Sequence, residues 1–141
     1  MTTKYVVALE VEPEPSDMQV LVNGLVEYNT AQVGGEIQQY LVATVRDAEG
    51  TVVGGVLAVT YLGWLHVQAI WLHESLRGQG YGNTLMKMAE DEAQHRGCKG
   101  AFVETLSFQA LPFYEKRGYK VFSKLPDMPP GGARYALTKD L

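Results

Sequence analysis

The chain has 141 residues, the usual size of one compact domain, so a single domain spanning residues 1–141 is expected. Twelve Lys and Arg against sixteen Asp and Glu leave a net charge of −4, which excludes a surface that holds nucleic acid or an anionic membrane by bulk charge. The 46% hydrophobic and 20% charged content excludes a disordered or fibrous chain, and the one cysteine, Cys98, excludes an internal disulfide and a cysteine-based metal site, so a reducing cytoplasm is the expected setting.

Residues 1–4 lead into only a short apolar run, unlike a signal peptide. Residues 5–10 read as a first strand, stopped by Glu12-Pro13-Glu14-Pro15. Ser16 with Gln19 is a capping-box pattern, after which Leu21, Val22, Leu25 and Val26 recur at helical spacing until Gly34-Gly35. Residues 39–46 read as a strand, Asp47-Ala48-Glu49-Gly50 as a turn and residues 51–61 as the antiparallel partner. Residues 51–72 carry no Asp, Glu, Lys or Arg and are long enough to span a bilayer. Gly54, Gly55, Gly63, His66 and Gln68 interrupt them, and their β-branched and aromatic content suits two strands joined at Tyr61-Leu62-Gly63-Trp64, so no membrane span is expected.

After the strand at 64–72 comes a glycine-rich junction and then a helix with Leu85, Met88, Ala89 and Ala93 on one stripe, ended by Gly97. Residues 101–106 read as a strand, 109–117 as a short helix with Pro112 in its first turn, and 119–123 as a strand. A Pro- and Gly-rich loop at 126–132 precedes a last strand at 134–138. The order is mixed α/β with an antiparallel start, unlike a doubly wound sheet.

The junction places Gly78, Gly80 and Gly82 at alternate positions between a strand and a helix. Glycine lets the backbone approach an anion closely, and the unpaired amides of a helix's first turn carry the positive end of its dipole. Arg77 adds a planar cation suited to phosphate oxygens. Gly82 is followed by Asn83-Thr84 and not by Lys-Ser/Thr, which disfavours a nucleoside triphosphatase, and neither glycine pair has the third glycine of a dinucleotide fingerprint. A tight turn with no ligand explains an isolated glycine trio equally well.

Arg77-x-x-Gly80-x-Gly82 resembles the acyl-CoA pyrophosphate loop of the GNAT N-acetyltransferase superfamily, Gln/Arg-x-x-Gly-x-Gly/Ala. The segment Phe113-Tyr114-Glu115-Lys116-Arg117-Gly118-Tyr119 resembles a second family segment, at the family's separation from the first. The resemblance implies an α/β (α+β) fold, a GNAT-like mixed, splayed sheet of about six to seven strands flanked by helices. It further implies acetyl-CoA as co-substrate, with its pantetheine arm in the gap between the strands at 64–72 and 101–106 and bound near Ile70 and Leu72. Arg77, Gly78, Gln79, Gly80, Tyr81 and Gly82 would hold the diphosphate. Ser107 stands where many relatives carry a cofactor-contacting Asn, and a hydroxyl replaces only part of an amide's contacts. The resemblance is compatible with a homodimer, although no interface is legible.

Acetyl transfer to an amine requires a neutral nucleophile, so a group in the cleft must accept a proton. Glu104 is the preferred candidate and His66 the second. The resemblance assigns thiolate departure to Tyr114. Cys98 follows a helix end, not a base, and gives no reason to invoke a covalent enzyme intermediate. The expected partner is a small-molecule or peptide amine, and a non-catalytic acyl-CoA binding module is the rival reading.

Overall fold

A computed structural model describes residues 4–141, which divide into two compact units, residues 4–36 and 37–141. In the first, residues 5–10 are irregular chain and not the expected strand. An apolar, β-branched run states a preference for extended backbone, but a strand also needs a neighbouring edge to complete its ladder. Helix α1, Pro15–Gln32, follows. Its N-cap is Glu14, with Pro15 at the first helical position, where a missing N–H costs nothing. Ser16 therefore lies inside the helix, and the expected capping box does not form. Gln19 donates instead to Asn23 Oδ1 at 2.7 Å.

The second unit is a six-stranded sheet: β1 (Gln39–Arg46), β2 (Val52–Tyr61), β3 (Trp64–Leu72), β4 (Gly100–Leu106), β5 (Lys120–Pro126) and β6 (Ala133–Asp140), in the order β1-β2-β3-β4-β6-β5. Asp47 shapes the first hairpin, its Oδ1 accepting from the amides of Glu49 and Thr51 at 2.9 Å each. The second is a two-residue turn, Leu62-Gly63, with both residues at positive φ, as the twist of paired strands demands. All pairs are antiparallel except β3 with β4. Parallel neighbours need a crossover, supplied by α2 (Tyr81–His95).

Helix α2 lays Leu85, Met86, Ala89 and Ala93 against Val56, Leu65, Val67, Ala101 and Val103 of the sheet, all nearly solvent-free. Small alanines let helix and sheet approach, and the long residues fill the space between. Met88, expected on this stripe, faces outward at 54% exposure, and Met86 takes its place. The short helix α3, Leu111–Lys116, starts two residues later than expected, with Pro112 in its first turn. The strand expected at 119–123 runs on to Pro126.

Candidate active site

Strands β3 and β4 pair only from Trp64/Gly100 to Val67/Val103. Beyond that point they separate. The cause is visible in β3, where Leu57 and Ala58 of β2 face Ala69 and Val67, so that Gln68 is an extra, bulged residue. A bulge increases local twist and turns the strand away from its neighbour. The separation opens a cavity of about 800 Å³ lined by both strands, by Arg77 and Gly82 before and in α2, and by Phe113 and Tyr114 of α3.

The 77–82 turn reaches this cavity through Arg77 and Gly82, while Gly78, Gln79, Gly80 and Tyr81 are outside its lining. Gly78 and Gly80 take φ of +74° and +88°, the left-handed region that suits glycine, and Gly80 is the N-cap of α2. Gly80 carbonyl accepts from the Thr84 amide at 3.1 Å. Among the described residues, no hydrogen bond engages the amides of Gly78, Gln79, Gly80, Tyr81 or Gly82. Arg77 anchors its Nε to Leu72 carbonyl at 3.2 Å, leaving its two terminal nitrogens without a partner among the described residues. Gln79 folds its side chain back onto Ser75 carbonyl at 2.8 Å, so its contribution to the turn is its amide. A Cβ at Gly82 would come within 3.1 Å of the Phe113 ring. Open amides, a helix dipole and an unpaired guanidinium fit a diphosphate, and the gap fits an extended arm leading from it.

The far wall is fixed by the turn after β4. Buried Thr105 accepts the Ala110 amide on its Oγ1 at 3.2 Å, and Gln109 Oε1 accepts the Leu106 amide at 2.7 Å. These bonds set the start of α3. Tyr114 is 4% exposed and its ring meets Phe113 and Tyr119 edge to face at 5.2 and 5.8 Å. Burial pushes the Tyr114 hydroxyl up to about 12, so it stays a neutral donor at physiological pH.

This shift has a consequence for stability. Below pH 10 the tyrosine is neutral in both folded and unfolded chains; between 10 and about 12 only the unfolded chain ionises, which favours unfolding. Urea denaturation at pH 9 and 11 is expected to show the protein losing about 1.4 kcal/mol more than Tyr114→Phe over that interval. Equal losses would contradict the shift.

Glu104 lines the cavity and is the sole carboxylate among its lining residues; it is ion-paired with Arg134 of β6. His66 is not in the lining. It stacks on Phe102 at 4.3 Å between ring centres, and burial lowers its pKa, opposed by the Glu104 charge. Ser107 is also absent from the lining: its Oγ accepts the Ala133 amide at 3.1 Å while its own amide donates to Ala133 carbonyl at 2.8 Å. The hydroxyl thus ties the turn after β4 to the start of β6. Ile70, Leu72, Arg77, Gly82, Glu104 and Tyr114 are brought together.

Sequence reasoning missed Glu90. Of the two adjacent cations in the second motif, Lys116 is exposed and Arg117 is half-buried. Arg117, on the turn after α3, places Nη2 at 2.9 Å from Glu90 Oε1, and Lys139 Nζ meets the same oxygen at 2.9 Å. Tyr119 donates its hydroxyl to Glu90 Oε2 at 2.8 Å, and burial first, then that bond, pushes its pKa up. Glu90 lies three to four residues from Met86, Ala93 and Gln94, on the edge of the apolar stripe, which is the one local sign that it is buried.

Among the described residues there is no cluster of His, Cys, Asp and Glu able to hold a metal ion, and no helix is long and apolar enough to cross a membrane.

Residues 10–119 match the acetyltransferase (GNAT) family. The chain is 39% identical over 107 residues to Acetyltransferase Atu2258 of Agrobacterium fabrum, covering 76% of this chain and 78% of that one. It is 40% identical over 93 residues to the blasticidin-S acetyltransferase of Streptomyces morookaense, covering 65% and 68%. A crystal structure of an acetyltransferase from Bacillus cereus superposes with a TM-score of 0.81 over 98% of both chains at 28% identity. Matching over most of its length in sequence and fold, the chain belongs to the GNAT acetyltransferase family and is an acyl-CoA-dependent N-acetyltransferase whose acyl donor is acetyl-CoA.

Proposed function

We propose that the enzyme moves the acetyl group of acetyl-CoA directly to the primary amine of a small molecule or peptide, with Tyr114 assisting departure of the thiolate. The observation that carries this reading is the position of Tyr114, a neutral phenol on the wall of the gap that opens where β3 and β4 cease to pair. In the proposed reaction a bond forms from the amine nitrogen to the acetyl carbon as the carbon–sulfur bond breaks, and the electron pair leaves on sulfur. Moving a proton from a phenol at about 12 to a thiolate near 8.5 is uphill by about 5 kcal/mol, so Tyr114 acts chiefly by donating a hydrogen bond. The departing ammonium proton passes to Glu104, directly or through water, with Arg134 holding that carboxylate at the gap.

The diphosphate rests on the amides of residues 78–82 and on Arg77, and the arm follows Ile70 and Leu72 into the gap. A small cationic acceptor is favoured by the chain's acidic balance and by the activity of its Streptomyces relative toward blasticidin S. The test is thiol release from acetyl-CoA against blasticidin S, polyamines, aminoglycosides, amino acids and lysine peptides. Release with at least one of these is expected. No release with any, from protein that binds CoA, would overturn the reading.

A further inference from the structure

The buried carboxylate of Glu90 is not among the residues that line the cavity, yet through Arg117 and Tyr119 it is linked to the turn and to the phenol at its wall. One arm runs to the phosphate turn. Arg117, held by Glu90, turns its Nη1 to the carbonyl and the Oδ1 of Asn83, both at 3.3 Å. Asn83 follows Gly82 in the first turn of α2. The other arm runs to Tyr114. Tyr119, held by Glu90 at 2.8 Å, packs its ring edge to face against Tyr114 at 5.8 Å. Lys139 completes the site from β6, with its Nζ at 2.9 Å from Glu90 and 5.5 Å from the centre of the Tyr119 ring. The Glu90 side chain is 9% exposed, so these bonds are shielded from competing water.

We propose that Glu90 is a positioning residue that sets the distance between the two ends of the bound coenzyme, fixing the phosphate turn through Arg117 and Asn83 and the thiol-facing phenol through Tyr119. This rests on the roles given above to Tyr114 and to the 78–82 turn. The geometry explains why one carboxylate takes three donors. Helix α3 has only six residues and could not hold Tyr114 in place by its own backbone bonds. The network joins its C-terminal end to α2 and β6.

The two arms are separable by calorimetry with CoA and with desulfo-CoA, which lacks the sulfur, at pH 9, where the thiol is largely ionised. The wild type is expected to bind CoA about tenfold more tightly than desulfo-CoA, the worth of a hydrogen bond to a charged sulfur, and Tyr114→Phe to abolish that preference. Tyr119→Phe and Glu90→Gln are expected to cut the preference at least about threefold, and Arg117→Met to weaken both ligands equally, by about fivefold. A role confined to stability would lower the melting temperature and leave these ratios alone. An unchanged sulfur preference in folded Tyr119→Phe, or unchanged affinity for both ligands in folded Arg117→Met, would overturn the proposal. Were Tyr114→Phe itself without effect on the preference, the leaving-group reading would fail instead, and the Arg117 arm would still be decided by its own affinities.

Discussion

Replacing Tyr114 by Phe is expected to lower kcat for acetyl transfer about 10- to 100-fold while leaving the Kd for CoA at pH 7, where the thiol is protonated, within about twofold. The magnitude is that of one hydrogen bond to a charged group, about 1.5–3 kcal/mol, made only as negative charge develops on sulfur. The ring itself is retained, so the edge-to-face contacts with Phe113 and Tyr119 persist and the fold is not disturbed. Rapid thiol detection with the fastest acceptor of the amine panel measures kcat, and calorimetry measures Kd. A kcat unchanged by the substitution would remove Tyr114 from the chemistry. A loss that appears only in KM would make it a binding residue.

Glu90→Ala is expected to destabilise the protein by about 3 kcal/mol, lowering Tm by roughly 10 °C or more. The reason is asymmetric. The substitution leaves the Arg117 and Lys139 side chains, 14% and 24% exposed, without their counter-charge, and leaves the Tyr119 hydroxyl without its acceptor. Replacing all three charges together, as Glu90→Leu, Arg117→Met and Lys139→Met, is expected to restore most of that stability, because nothing charged is then left unpaired. Urea denaturation of the single and triple variants measures both. A triple variant as unstable as Glu90→Ala would show that the cost lies in packing and the Tyr119 hydroxyl and not in the stranded charges.

The strand pattern from residue 39 onward was legible because each strand there is bounded by a turn with its own chemistry. Asp47 and Gly50 mark one hairpin and Leu62-Gly63 the next, and the structure places β1 and β3 at the limits that the sequence implies. The glycine turn and Tyr114 were legible for a different reason: they belong to motifs whose spacing resembles that of a known family. What escaped notice depends on distant residues meeting. The 5–10 run has the composition of a strand, but composition does not specify a partner edge. Glu90, Arg117 and Lys139 lie on α2, the turn after α3 and β6, up to 49 positions apart, so each one alone reads as an ordinary surface charge. Ser107 likewise reads as a diminished cofactor contact, although its hydroxyl is engaged by Ala133, 26 residues later. The bulge at Gln68, which opens the gap, leaves no mark in the sequence beyond an interruption of an apolar run.

In the proposed reaction the splayed gap and the glycine turn together set how acetyl-CoA lies. The turn offers five amides and a guanidinium to a diphosphate, while the gap offers strand edges and apolar walls to the arm that carries the thioester. On that proposal, binding energy taken from the unreacting end orients the thioester against Tyr114.

The most direct test is therefore a calorimetric comparison of CoA with pantetheine, which lacks the diphosphate and nucleoside, on the wild type and on Arg77→Ala. The account predicts that CoA binds at least about 100-fold more tightly than pantetheine and that Arg77→Ala weakens CoA about tenfold without altering pantetheine. Equal affinities for CoA and pantetheine, or no heat with CoA at millimolar concentration, would contradict it.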